Sequence, residues 1–220
     1  MALLSVRLVT YLEKDSTTFR MHQQKKPELI LASSSPRRQE LLREIGIPFQ
    51  VHAANINEEQ FAGEPPIKYA LRLAQEKAQA VAAQYPQSYV LGADTIVVVD
   101  GEVLGKPKDL KDAARMLRLL SGRDHEVTTA VSLISPGTVA QGTLAETRAS
   151  TTKVYFRQIA EAEIQQYVAG GEPMDKAGAY AIQGGASRWA DRIEGEFSNV
   201  VGLPLSLVTE MLKITGLIKS

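Results

Sequence analysis

The chain contains no cysteine. That removes disulfides, thiolate metal sites and cysteine nucleophiles, and it is compatible with a reducing compartment. No apolar run reaches the roughly 20 residues that a membrane-spanning helix needs, so a membrane partner is not expected. Histidine is scarce, with His22, His52 and His125 making up the full set, which argues against a histidine-rich metal centre. An excess charge of one sign is missing too. Lys plus Arg and Asp plus Glu each number 25, so no net field draws the protein to nucleic acid or to an anionic surface. Any phosphate must be held by local groups. The sequence also lacks the G-x-x-x-x-G-K-[ST] loop, a G-x-G-x-x-G turn after a strand, H-E-x-x-H and G-x-S-x-G. If a metal is used, it is expected to be a hard ion held by carboxylates, phosphate oxygens and water.

What is present suits a globular α/β protein. At 44% hydrophobic, the 220 residues suffice for one substantial core, or for two lobes sharing one. Residues 1–26 read as a flexible N-terminal extension, because Arg7 breaks the mildly apolar start and Glu13 and Asp15 are unlike an organelle transit peptide. Met21 also allows an alternative start. Residues 27–220 are expected to form one domain.

Within it, Glu28 to Ser33 reads as a short buried strand. A helix follows, with Ser35 as cap, Pro36 in the first position and Gly46 as stop. A second helix is predicted over Pro66 to Tyr85, a strand over Tyr89 to Val99, and a type I′ hairpin at Asp100-Gly101 returning through Glu102 to Leu104. Asp109 caps a third helix that ends at Ser121-Gly122. His125 to Ser135 and a stretch ending near Phe156 are expected to pair as antiparallel strands. A short helix over Ala160 to Val168, a loop-rich segment from Glu172 to Asn199 and a final helix after Pro204 complete the reading. The alternation predicts a mixed sheet.

Four features carry chemistry. Ser33, Ser34, Ser35, Pro36, Arg37 and Arg38 gather hydroxyls, free N–H groups and two guanidinium groups at one helix N-terminus, a natural anion site, although a solvated cap with two surface arginines has the same pattern. Asp94 interrupts an apolar strand, where a carboxylate costs several kcal/mol unless paired, hydrated or metal-bound. The alternative is a bulge at which Asp94 meets water. Lys77 falls inside the apolar arc of the second helix, where it either reaches into a cleft or snorkels to solvent. Lys106 sits on a rigid turn between Gly105 and Pro107 and says little alone.

Together these residues resemble the Maf family of nucleotide pyrophosphatases. The likeness runs from Leu29 to Leu212 through LASSSPRRQELL, RLAQEKA, GADTIVVVDGEVLGKP, LSGRDHEV, EPMDKAGAYAIQG and NVVGLPL, in that order. The resemblance implies two lobes around a long mixed sheet, similar to the inosine triphosphate pyrophosphatase fold, with the active site in the central cleft. It implies Asp94 as the catalytic carboxylate, and Ser33, Arg37, Arg38, Lys77 and Lys106 as substrate-binding groups. Glu58, with Asp94, would hold a divalent metal, Mg or Mn. Many members carry Asp before that Glu, whereas this chain has Asn57.

Thr95 and Gln183, with Asp175, Lys176 and Tyr180 nearby, fall where the family sets base preference, and DKAGAYAIQG is similar to the branch that acts on dTTP and UTP. The implied reaction is attack of water on the α phosphorus, releasing pyrophosphate. Asp94 would serve as base or as metal ligand, and modified pyrimidine nucleotides would be further substrates. The expected setting is the cytoplasm, with a nucleoside triphosphate as partner, no nucleic acid, and a homodimer left open. A nucleotide-binding regulator of cell division without essential turnover is the rival reading.

Overall fold

The computed structural model describes residues 29–137 and 146–218; the expected N-terminal extension lies outside them. Seven strands form one sheet, β1 (Leu29–Leu31), β2 (Phe49–Val51), β3 (Tyr89–Val99), β4 (Glu102–Leu104), β5 (Asp124–Ile134), β6 (Glu146–Phe156) and β7 (Ala190–Glu194). Their order is β2-β1-β3-β5-β6-β7, with β4 also paired to β3. The sheet is mixed: β1 runs parallel to β2 and β3, and the other pairings are antiparallel. Six α-helices accompany it among the described residues: α1 (Pro36–Glu44), α2 (Pro66–Ala82), α3 (Leu110–Leu120), α4 (Glu161–Ala169), α5 (Phe197–Val201) and α6 (Leu205–Ile214).

Local chemistry explains most of these boundaries. The Ser35 hydroxyl accepts from the Arg38 N–H, Pro36 opens α1, and Gly46 beyond its end has φ 79°, the left-handed stop that glycine tolerates best. Asp100 and Gly101 have φ 51° and 80°, the pair of positive values a type I′ hairpin requires. Asp109 caps α3 through the Asp112 N–H. Helix α2 ends at Ala82, short of the expected Tyr85, whose N–H turns back to the Val81 and Ala82 carbonyls.

Alternation along β3 divides the core. Val90 and Ile96 face α2, whose Ala70, Ala74 and Ala78 bring its backbone close to the sheet; Leu91, Ala93, Val97 and Val99 face the larger core shared by the remaining helices. Gly92 makes the α2 approach possible. A Cβ there would stand 2.7 Å from the Ala78 nitrogen and closer still to the Ala74 carbonyl oxygen. One consequence positions the site. β1 pairs with β3 only as far as Leu91, and β4 begins to pair at Val97, so Gly92 to Ile96 have a strand on one edge only, that of β5. The chain leaves both flanking strands at this gap, into α1 on one side and into the Gly105-Lys106 turn on the other.

Candidate active site

Asp94 lies in that gap. It is 7% exposed, on the β3 face that α2 covers, and its Oδ1 accepts a hydrogen bond from Lys77 Nζ at 2.7 Å. Lys77 is itself 8% exposed and flanked by Ala74, Ala78 and Leu73, so the helical arc that the sequence marked as apolar does carry the ammonium inward. The same Nζ is 2.7 Å from Glu58 Oε1, and Lys106 Nζ is 3.8 Å from Glu58 Oε2. Burial pushes the Asp94 carboxyl above the usual range, opposed by the charges of Lys77 and Arg38. Glu58 goes the other way: burial works against its charge, but the Lys77 hydrogen bond and the charges of Lys77, Lys106 and Arg38 outweigh burial and hold it low.

Arg38 occupies the opposite side of the gap. Its Nε donates to the Gly202 carbonyl at 2.8 Å, Nη2 to Thr95 Oγ1 at 2.9 Å and Nη1 to Ser33 Oγ at 3.3 Å. Burial lowers its pKa, with Asp94 and Glu58 pulling it back up. Thr95 Oγ1 also meets Thr129 Oγ1 at 2.9 Å, and Thr129 donates to the Asn199 carbonyl. The guanidinium is therefore locked by protein groups. Arg37 beside it lines the cleft.

These groups line a cavity of about 630 Å³ that includes every candidate residue except Gln183: Ser33, Arg37, Arg38, Glu58, Lys77, Asp94, Thr95, Lys106, Asp175 and Lys176. Asp175 and Lys176 pair with each other and reach the wall through a backbone bond from the Gly178 N–H to the Gly105 carbonyl at 3.1 Å. Gly178 is obligatory there, since its φ is 67° and a Cβ would stand 2.9 Å from Val97 Cγ2. Gln183 is exposed and lies outside the lining. The Glu172 carboxylate, which accepts from the Gly185 N–H at 3.2 Å and from Tyr167 Oη at 3.0 Å, holds the neighbouring loop along another path. Asn57 is also outside the lining, its amide turned to Glu59.

Some participants escaped sequence reading. Tyr69 lines the cavity, and the Gly202 carbonyl fixes Arg38. The only signal for Gly202 was its place in NVVGLPL. Tyr69 had none, because one aromatic on a helix says nothing about a loop folding back to it.

A divalent cation fits this donor set. Glu58 and Asp94 present only oxygen, as hard ions require, and both already converge on one ammonium, so their oxygens lie within about twice 2.7 Å of each other. Among the described residues no cluster of three or more His, Cys, Asp or Glu exists, so water and phosphate oxygens would complete the shell.

The family model for Maf-like proteins matches residues 28–215. The chain belongs to that family. Among its Maf-like relatives, the dTTP/UTP pyrophosphatase of Koribacter versatilis is 54% identical over 190 residues, 86% of this chain and 95% of that protein. The dTTP/UTP pyrophosphatase of a Geobacillus species is 50% identical over 86% of this chain and 98% of its own length. Among solved structures, the Ham1 protein of Staphylococcus aureus aligns with a TM-score of 0.49 and 15% identity, covering 86% of this chain and 99% of that one. No helix among the described residues is long and apolar enough to cross a membrane.

Proposed function

We propose that this Maf-like chain hydrolyses dTTP and UTP to the nucleoside monophosphate and pyrophosphate, and that it does so in the cytoplasm. The observation that carries the reading is a desolvated carboxylate, Asp94, at a cavity where cations outnumber acids. A triphosphate is the complement of Arg37, Lys77, Lys106 and Lys176 in a chain of zero net charge. A site for binding alone would gain nothing from a buried negative charge beside that polyanion.

In the proposed reaction, a water oxygen bonds to the α phosphorus while the bond from that phosphorus to the bridging oxygen of pyrophosphate breaks. Asp94 orients the water and takes its proton. Arg37 and Lys106 steady the charge that collects on the departing pyrophosphate. A divalent ion held by Asp94 and Glu58, when bound, would offset substrate charge and polarise the phosphoryl oxygens. Base contacts are assigned to Thr95 and the Asp175-Lys176 wall, which line the cavity, and to Gln183, which is exposed outside its lining.

The test is a side-by-side assay of released anion across common nucleotides and 7-methyl-GTP. Pyrophosphate from dTTP and UTP, at rates well above the purines and lost in excess chelator, is expected. Orthophosphate as the first product, or a purine as the best substrate, would overturn the assignment.

A further inference from the structure

Glu58 reaches the cavity from residues 52–65, a connection between β2 and α2 with neither helix nor strand, and it is close to half exposed. A loop of that length has no intrinsic reason to hold a carboxylate beside Asp94, because ordering each residue costs about 1–2 kcal/mol of backbone entropy. One side chain outside the cavity lining gathers it. Arg72, in α2, donates from Nε and Nη2 to the two oxygens of Glu64 at 2.7 and 2.8 Å, the paired geometry that a guanidinium alone can supply. Nη2 also donates to the Glu59 carbonyl at 2.9 Å, and Nη1 is braced by Glu76 at 3.2 Å. The guanidinium carbon lies 4.0 Å from the Phe61 ring centroid. One turn earlier on the same helix, Tyr69 Oη donates to the Glu58 carbonyl at 2.6 Å.

We propose that Arg72 is a positioning residue that staples residues 58–64 to α2 and so presents Glu58 to the divalent cation. The inference rests on the reading of Glu58 as a metal-binding carboxylate. α2 then delivers two elements of the site on one rigid rod: Lys77 directly and Glu58 through Arg72. The lysine alternative keeps the charge but loses the fork and the contact with Phe61, so Arg72→Lys should behave like Arg72→Ala.

The experiment measures Mn²⁺ binding to the substrate-free full-length chain by the electron paramagnetic resonance of free Mn²⁺, alongside turnover. Arg72→Ala and Arg72→Lys are each compared in the Glu58 protein and in a Glu58→Gln background, with urea unfolding as the check on folding. Arg72→Ala is expected to weaken Mn²⁺ binding by about tenfold or more, the scale for losing a group that orients a ligand. In the Glu58→Gln background it should change binding by less than about threefold, because the carboxylate it positions is gone. Tyr69→Phe, which deletes one hydrogen bond, should give a smaller shift in the same direction. Equal factors in both backgrounds, or unchanged Mn²⁺ binding in Arg72→Ala, would overturn the staple while leaving Glu58 in place. A Glu58→Gln variant with normal Mn²⁺ binding would instead remove the reading on which it rests.

Discussion

Two cations face Asp94 inside the sheet from different elements, Lys77 from α2 and Arg38 from α1, and offset part of the burial that raises its pKa. Removing one partner of such a group leaves the others buried and uncompensated, so the variant to make is isosteric. Asp94→Asn should retain the fold and lower turnover by at least about a hundredfold, the scale for a lost positioned base. Circular dichroism and single-turnover kinetics on the same sample check both halves; normal turnover in a folded variant would take Asp94 out of the chemistry. This residue was legible in the sequence, since an acid between apolar strand residues has few physical explanations. So was Lys77, from helical phase. Arg38 was legible as a cation at a helix N-terminus, but not as one whose donors are taken up by Gly202, Thr95 and Ser33, because those contacts span up to 164 residues of chain. The exposed position of Gln183, outside the cavity lining, was not legible either. Its neighbours in sequence say nothing about the Glu172 contacts that steer its loop.

At the scale of elements, the site depends on the distance between α2 and β3. Ala74 and Ala78 opposite Gly92, with Ala70 packed on Ile96, set that distance, and Lys77 reaches Asp94 across it. Gly92→Ala is expected to push the helix outward, destabilising the protein by about 1–3 kcal/mol, the usual cost of overpacking. Turnover should fall as well, since Lys77 moves with the helix. Denaturant unfolding with paired activity measurement decides it, and an unchanged midpoint would show that α2 yields freely. Elements with strong local signals were readable: α1 and α3 from their caps, the β3–β4 hairpin from Asp100-Gly101. β2, β7 and α5 were not. β2 is three residues long, and β7 and α5 lie in or border a segment whose order comes from distant bonds, such as Asn199 Nδ2 to the Val127 carbonyl and to Thr152.

For the molecule as a whole, stability should depend on His125. Its ring is 2% exposed, packed edge-on against Phe156 and Tyr180, with Nε2 2.8 Å from Tyr180 Oη and no hydrogen-bond partner for Nδ1 among the described residues. Burial lowers its pKa to about 4, against an ordinary value of 6.5. The folded protein thus holds a neutral ring that the unfolded chain would protonate. Its contribution is complete above about pH 6.5 and is lost as pH falls toward 4, up to on the order of 3 kcal/mol. Urea unfolding from pH 7 to pH 4.5 should show this decline, and His125→Gln should flatten it relative to the parent. Parallel profiles for the two proteins would show that His125 is not the titrating group.

By itself the sequence determined which segments become helix and strand wherever apolar period, cap and turn residues agree, and it singled out Asp94 and Lys77 as residues out of place. These are local properties, set by backbone geometry and by the cost of burying charge. Only the tertiary structure decided that β1 and β4 part at Gly92 to Ile96 and open the cavity there, that Arg38 is locked by Gly202, Thr95 and Ser33, and that Arg72 gathers the Glu58 loop. Each of these depends on contacts between residues far apart in the chain, whose pairing is chosen by the packing of the whole core and leaves no periodic trace in the sequence.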